Sequence, residues 1–178
     1  MAISWKFIDS EIGSPPVDYV DSGHTPTDGA TKYPAVPVGT IRKAIDTGSA
    51  DDGVAEFVYL KGVASTAVGD WVTYDEAGVT ARTGASSVGN VAVAMAATVA
   101  DKWGWYQISG NAQATVITAC ADDAQLFATS TAGTADDAIV DTDVITGAVC
   151  RALRGSGTGI TTVQLNRPFM SQTAGATS

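Results

Sequence analysis

The chain has 178 residues and a formal net charge of −9, and 45 % of its residues are apolar while only 16 % are charged. This length fits one domain, the apolar share excludes disorder by composition, and the acidic balance argues against direct nucleic-acid binding. No apolar run is long enough to span a bilayer, and the N-terminus lacks the pattern of a secretory signal, so we expect no membrane association.

The residue composition predicts an all-β fold. Valine occurs 19 times, threonine 22 times and isoleucine 10 times, whereas leucine occurs 4 times and glutamate 3 times. Beta-branched side chains pack well on a pleated surface and lose rotamer freedom in helices. The 16 aspartates and 19 glycines suit tight turns. We therefore expect a small β-sandwich or β-barrel of short antiparallel strands.

Residues 1–50 predict an extended, proline-rich N-terminal arm with one possible short strand at 3–8. Five of the six prolines precede residue 40, and proline cannot donate to a sheet ladder. Because aromatic side chains are costly to leave in water, four of them are candidate partner contacts, on the arm's own domain or on a neighbouring subunit: Trp5, Phe7, Tyr19 and Tyr33. We expect deletion of residues 1–40 to leave the remaining domain folded.

Residues 51–170 predict a β domain, and the small, polar residues 171–178 predict a disordered tail. A period of two, typical of half-buried strands, recurs along the domain. Residues 75–78 have the composition of a tight turn that joins two of these segments as a hairpin. The expected strands are 56–60, 70–74, 79–82, 90–100, 103–110, 112–120, 125–129, 145–153 and 161–165.

The large apolar residues of these segments predict the core. Within residues 90–100, valines and a methionine alternate with alanine and threonine, which separates a large face from a small one. Small residues on one face allow another layer to approach closely. The candidate core residues are Trp71, Val93, Met95, Trp105 and Ile108.

The order of segments repeats weakly along the domain. Segments 71–74, 89–94 and 106–108 are followed in similar order by 126–129, 147–150 and 163–165. This order is typical of two related β units, although any β-meander can produce such a coincidence.

Residues suited to catalysis or metal binding are few. His24 is the only histidine, so a histidine pair is excluded, and its neighbours indicate a solvated turn. Cys120 stands between two alanines and Cys150 follows a valine, both in expected strands. They are interpreted as two buried thiols, with a disulfide between neighbouring strands as the alternative.

Three further patterns allow a binding site but favour ordinary structure. The glycine-rich segment 155–159 lacks the lysine and the following helix of a phosphate loop. Asp141 and Asp143, with 136–137 nearby, offer oxygen ligands for calcium but no complete loop motif, which favours a solvated acidic turn. The four tryptophans could line a sugar site, although core packing is the commoner fate of Trp71, Trp103 and Trp105 within strands. We therefore expect no enzymatic activity, no cofactor and no metal.

Five segments of the chain resemble the capsid cement, or head decoration, proteins of tailed bacteriophages. In that family a strand resembling residues 68–74 is followed by a strand rich in glycine and alanine and then by an aromatic strand. The resemblance covers about residues 55–170, and the proline-rich start departs from it. The matching segments are EFVYLKGVA (56–64), VGDWVTY (68–74), VGNVAVA (88–94), WYQISG (105–110) and VQLNRPF (163–169).

The resemblance implies a virion protein that is made in the host cytoplasm and binds the exterior of the expanded capsid. Such a protein commonly forms homotrimers and bridges adjacent major capsid protein subunits, which stabilises the shell by mass action. An acidic surface would keep decorated particles soluble. The alternative function is a carbohydrate-binding or host-attachment β module of a phage fibre or bacterial surface.

Overall fold

The computed structural model describes residues 5–8, 13–26, 31–48, 53–117, 119–140 and 142–171, and these contain eleven β-strands and no helix. The all-β prediction is therefore confirmed. No helix among these residues is long and apolar enough to cross a membrane. The strands are β1 (Trp5–Phe7), β2 (Ile41–Asp46), β3 (Val54–Lys61), β4 (Trp71–Tyr74), β5 (Thr80–Arg82), β6 (Gly89–Ala94), β7 (Trp103–Val116), β8 (Gln125–Ala128), β9 (Ala135–Asp136), β10 (Val144–Cys150) and β11 (Gly159–Met170).

Five strands close into a first ring in the order β3, β7, β6, β4 and β5. Four antiparallel pairings join consecutive members of this ring. A parallel bridge between Lys61 and Val79, just before β5, completes it, and Thr80 Oγ1 donates a 2.9 Å hydrogen bond to the Lys61 carbonyl. Its fully buried interior contains Val58, Leu60, Val72, Ala92, Ala94, Tyr106 and Ile108. The alanines of β6 thus face the ring interior, where space is limited by the aromatic ring of Tyr106.

Five strands close a second ring in the order β7, β11, β10, β8 and β9. The β7–β11 ladder pairs eight residues, and a single parallel pair, Val116 with Ala135, joins β9 to β7. The core of this ring includes Leu126, Ile145 and Leu165, and it is completed by Trp71, Val91 and Val93 from the outer face of the first ring. The two rings therefore share both a strand and a core.

Strand β7 passes through both rings without a break, which corrects the prediction of two strands at 103–110 and 112–120. Gly110 lies in the interior of the strand with φ of 88°, a left-handed conformation that glycine adopts without strain. Tyr106 and Ile108 face the first interior, and Ala112, Ala114 and Val116 belong to the second core. Gly110 therefore does not mark the end of the strand.

Other boundaries also differ from the predictions. Strand β6 ends at Ala94 instead of residue 100, whereas β11 continues to Met170. In β10 the register shifts between Thr146 and Ala148, so that Ile145 and Ala148 both point inward. The segments β2 and β9 were not predicted as strands. The related order of the two halves does appear in the pairing, since β4, β6 and β7 are neighbours, as are β8, β10 and β11.

The described parts of residues 5–48 pack against the outer face of the first ring. Strand β2 pairs with β3 over five residues, and β1 pairs with β2. Val17 and Val36 are buried in a third cluster together with Phe57, Tyr59 and Trp105. The boundary expected at residue 50 thus does not coincide with a break in the sheet. The expected disordered tail, residues 171–178, lies outside the described residues except for Ser171.

Candidate interaction surface

Two of the four aromatic residues proposed as partner contacts pack against the protein's own domain and are partly buried. The ring of Trp5 meets Phe57 edge-on at a centroid distance of 5.0 Å, and Phe7 lies 5.0 Å from Trp105. By contrast, Tyr19 and Tyr33 are 52 % and 57 % exposed. The two tyrosines are therefore the more exposed of the four candidates for contact with a partner.

A buried carboxylate holds the N-terminal segment in place. This name is used for the described residues between 5 and 40, which precede β2. Asp21 accepts hydrogen bonds from the Tyr59 hydroxyl at 2.6 Å, from the Ala35 N–H at 2.7 Å and from the Gly23 N–H at 2.8 Å. Burial raises the pKa of Asp21, but these donors outweigh it and the net pKa lies below its ordinary value. Burial, followed by the bond to Asp21, raises the pKa of Tyr59. The pair is therefore a charged carboxylate with a neutral phenol.

The structure buries most of the candidate core residues. Trp71, Val93 and Trp105 have no exposed surface and Ile108 is 3 % exposed, whereas Met95 is only partly buried against the N-terminal segment. Each buried indole has a partner for its polar edge, because Trp71 Nε1 donates to the Thr115 carbonyl and Trp105 Nε1 to the Pro15 carbonyl, both at 3.0 Å. Trp103, the third tryptophan of the sugar-site alternative, is 7 % exposed.

Exposed apolar side chains lie on a regular sheet surface formed by β2 and β3. Ile45 pairs with Val54 and Ile41 with Val58, and these alternate positions share one side of the two strands. Ile41, Ile45 and Val54 are 43 %, 37 % and 53 % exposed. The opposite side, with Ala44 and Phe57, is covered by the N-terminal segment. We call the exposed side, with its residues Ile41, Lys43, Ile45, Val54 and Glu56, the β2–β3 face.

A row of charges crosses this face and leads to a groove. Glu56 pairs with Lys43 at 3.6 Å and with Arg167 of β11 at 2.8 Å, so the salt bridge reaches across β7. Beside it lies an open groove of about 460 Å³ whose lining includes Gly110 and Asn166. Gly110 lies directly against the Val54 backbone. Ser109, which also lines the groove, pairs with Glu56 in the β3–β7 ladder, so the groove adjoins the β2–β3 face.

Side-chain amides form the far wall of the groove. Register shifts in β10 leave backbone carbonyls unpaired by β8, and the Gln125 amide donates to those of Ile145 at 2.9 Å and Ala148 at 3.1 Å. On the other side, Arg151 donates to both Gln164 and Asp123. These bonds engage the Gln125 and Gln164 side chains that line the groove.

Residues considered for chemistry are separated or already engaged. His24 is exposed and exchanges two backbone hydrogen bonds with Tyr33. The side chain of Arg154 donates to carbonyls of the glycine-rich segment 155–159 and the following residue, where a phosphate loop would present N–H groups. Within the described ranges, no three metal-ligating side chains cluster. Asp141 of the expected acidic turn falls outside them.

The two cysteines are both free and have no exposed surface, as the buried-thiol interpretation predicts. They belong to the core of the second ring. Burial, followed by a hydrogen bond with Cys150, raises the pKa of the Cys120 thiol. The Cys150 Sγ also lies 3.3 Å from the carbonyl oxygen of Ala152.

The sequence did not predict the β2–β3 face, because β2 lies within residues 1–50, which were expected to form an extended proline-rich arm. Its sequence, IRKAID, alternates only partly, since Lys43 stands between the two exposed isoleucines. The pairing of β2 with β3 reveals that these isoleucines share one side with Val54. That side is not defined by either segment alone.

Comparison with known proteins adds no relative to these observations. No protein-family model matches the chain. Neither a curated protein nor a solved structure matches it.

Proposed function

We propose that the protein is a structural component of a tailed-phage virion, without enzymatic activity, that binds the exterior of the expanded capsid. It bridges adjacent major capsid protein subunits and stabilises the shell, acting as a homotrimer. Five sequence segments that resemble capsid cement proteins support this proposal, and all five include residues of the two rings.

The observation that carries the proposal is the β2–β3 face with its adjoining groove. Isolated exposed apolar residues are common on loops, but three on one side of two paired strands form a flat patch on a rigid frame. The salt bridges of Lys43 and Arg167 with Glu56 cross it and supply directional contacts. Such a surface suits binding to another protein across a broad area.

The repeated geometry of a shell makes a modest interface sufficient. Each copy that spans two subunits stabilises the assembled state through its differential affinity for it, and many copies act together. The net charge of −9 leaves the rest of the surface acidic, which favours repulsion between decorated particles.

The carbohydrate-binding or host-attachment alternative gains no support from three of the four tryptophans that suggested it. Trp71, Trp103 and Trp105 are buried in the core clusters, and a sugar would need an exposed aromatic face. The alternative stays a prediction.

A binding assay with a matched control tests the proposal. The protein is mixed with expanded and unexpanded shells of the phage that encodes it, and bound protein is measured by co-sedimentation. We expect binding to expanded shells and a rise in their melting temperature. Val54→Lys places a charge on the β2–β3 face and should weaken binding at least about tenfold. Val68→Lys, at a residue of similar exposure in a turn outside this surface, should bind as the parent does.

Absence of binding to expanded shells by the parent protein would overturn the proposal. Undiminished binding by Val54→Lys would assign the contact to a surface other than the β2–β3 face. Hits on a glycan array that disappear in Tyr33→Ala would favour the host-attachment alternative instead.

A further inference from the structure

A second cavity, of about 310 Å³, lies where β8 and β9 end and β10 begins. We call it the acidic cavity, because its charged lining residues are two carboxylates, Asp136 and Asp143. Much of the remaining wall is aliphatic and includes Ile117, Ala128 and Val140. The cavity shares no residue with the groove or with the β2–β3 face. It is therefore a separate feature of the second ring.

The main chain fixes Asp143 at the base of this cavity. Its N–H donates to the Val140 carbonyl at 2.9 Å, and its carbonyl accepts from the Ala128 N–H at 2.8 Å. The side chain is on a residue only 4 % exposed, so the solvated position expected from the sequence is wrong for Asp143. Its Oδ1 accepts from the Ser86 N–H at 2.7 Å and from the Thr142 hydroxyl at 3.3 Å. No described residue donates to Oδ2, which leaves a buried acceptor for a donor in the cavity.

The cavity contains negative charge without a compensating cation. In the part of the chain that the structure describes, neither Asp136 nor Asp143 forms a salt bridge. Burial raises the pKa of Asp136, and the adjacent carboxylate of Asp137 adds to the rise. Calcium would need a larger set of oxygen ligands, and no three metal-ligating side chains cluster within the described ranges. An organic cation fits the cavity better than a metal ion.

The chemistry of the cavity favours a lysine side chain. A lysine has a flexible four-carbon stem that can lie along the aliphatic wall, and its ammonium group has three donors. Because Oδ1 of Asp143 is already engaged, the two parallel bonds of an arginine pair are not available at this carboxylate. Ile139, next to the lining residues, is 79 % exposed, the highest value among the large apolar side chains that the structure describes. An apolar rim beside polar groups is typical of a contact with protein.

We propose that the acidic cavity is a docking site for a lysine side chain of the major capsid protein, with the neighbouring part of that protein in contact with Ile139. This inference rests on the proposed function, because it names a second contact through which the chain holds the shell. Charge complementarity supports the choice of partner, since the lysine supplies the cation that the cavity lacks. A second copy of this chain is a poorer source, because two chains with a net charge of −9 repel each other.

The test measures the binding of cavity variants to expanded shells by co-sedimentation. Asp143→Asn and Asp136→Asn preserve the side-chain shape and remove one charge, and each should weaken binding at least about tenfold. Ala85→Leu, at an exposed residue of the lining, should narrow the cavity and weaken binding while both carboxylates remain. Glu76→Gln is the matched control, because it removes one charge at an exposed position of the turn between β4 and β5 and should bind as the parent does.

Acetylation of the lysines on the shell tests the other side of the contact. It removes their charge, so binding of the parent protein should weaken. A variant that carries both Asp136→Asn and Asp143→Asn has already lost this contact, so acetylation should weaken its binding by a smaller factor. Equal factors for the parent and the double variant would show that the cavity does not receive a lysine of the shell.

The outcomes separate this inference from the proposed function. Absence of binding by the parent would overturn the proposed function, whereas parent-like binding by all three cavity variants would overturn the docking site alone. Equal weakening in Glu76→Gln and the aspartate variants would assign the effect to net charge and overturn it as well. Parent oligomers that dissociate in Asp136→Asn would assign the cavity to a second copy of the chain. If Asp143→Asn does not fold, Asp136→Asn and Ala85→Leu decide.

Discussion

At the scale of single residues, Asp21 connects the N-terminal segment to the first ring. It is 8 % exposed, and its carboxylate accepts bonds from both sides of the contact, from Gly23 and Ala35 within the segment and from Tyr59 in β3. A buried carboxylate without donors would be costly, so the segment and the strand stabilise its charge together. The sequence identifies neither partner of this pair, because 38 residues separate them.

Removal of the Tyr59 hydroxyl should weaken this contact measurably. In Tyr59→Phe the ring still fills its place in the core, while the carboxylate loses its shortest hydrogen bond. We expect the free energy of unfolding to fall by about 1.5–3 kcal/mol, the range for bonds to charged groups. Urea denaturation measures it, with Tyr33→Phe at an exposed site as the control. A change within about 0.5 kcal/mol would show that the bond contributes little.

The lowered pKa of Asp21 predicts a loss of stability in acid. A carboxylate whose folded pKa lies below its unfolded value stabilises the fold fully above the unfolded pKa, and this contribution is lost as the pH falls through the folded pKa. We expect the stability difference between the parent and Asp21→Asn to be greatest above about pH 5 and to shrink toward pH 2. Urea unfolding at several pH values measures this difference, and a constant value would contradict the assignment.

At the scale of elements, the N-terminal segment is a cover for the first ring. Phe57, Tyr59 and Trp105 have no exposed surface, and the segment packs on them. Exposure of these three side chains would cost about 5–9 kcal/mol, which is comparable with the whole stability of an ordinary domain. The structure thus favours the opposite of the sequence-based expectation that residues 41 onward would fold after deletion of 1–40.

Deletion of residues 1–40 should therefore unfold or aggregate the protein. Near-ultraviolet circular dichroism should lose the signal of the packed tryptophans, and size-exclusion chromatography should show association. Lys6→Ala, at an exposed position of β1, is the control and should behave as the parent does. A truncated chain that stays monomeric with its native spectrum would show that the segment is dispensable.

Gly110 allows β7 to belong to both rings. A β-carbon at this position would lie 2.9 Å from the Val54 carbonyl oxygen and 3.0 Å from the Ala55 β-carbon, in addition to a φ of 88°. We expect Gly110→Ala to destabilise the protein by at least about 1–2 kcal/mol, the cost of the left-handed conformation alone. The control is Gly155→Ala, where the added carbon meets nothing within 4 Å. Equal denaturation midpoints for the two variants would refute this role.

The sequence predicts strands correctly where polar and apolar residues clearly alternate. It fails where a strand forms only through its pairing with other strands. Strands β3, β4 and β5 were predicted within two residues of their observed bounds. Strand β9 has only two residues and exists because β8 and β7 pair with it, so no local pattern could indicate it. The β2–β3 face has the same origin, since Ile45 and Val54 become neighbours only through the register.

At the scale of the whole molecule, the residue composition predicts the fold class but not the arrangement of the strands. Beta-branched residues and turn formers predict an all-β chain, but two rings that share β7 depend on pairings between distant residues, such as Glu56 with Ser109 and Asn166 with Ser109. Because β7 contributes to both interiors, neither ring can separate without breaking a ladder of the other. The geometry therefore argues for a single cooperative unit.

Because the two rings share β7, we predict that a destabilising substitution in one ring also lowers the stability of the other. Leu60→Ala in the first interior and Leu126→Ala in the second core should each cost about 2–5 kcal/mol. Because unfolding of either ring exposes β7, the most protected amides of both β3 and β10 should exchange faster by the same factor in each variant. Leu153→Ala, at an exposed site, should leave both unchanged. If instead each variant accelerated exchange only in its own ring, the two rings would be independent units joined by a long strand.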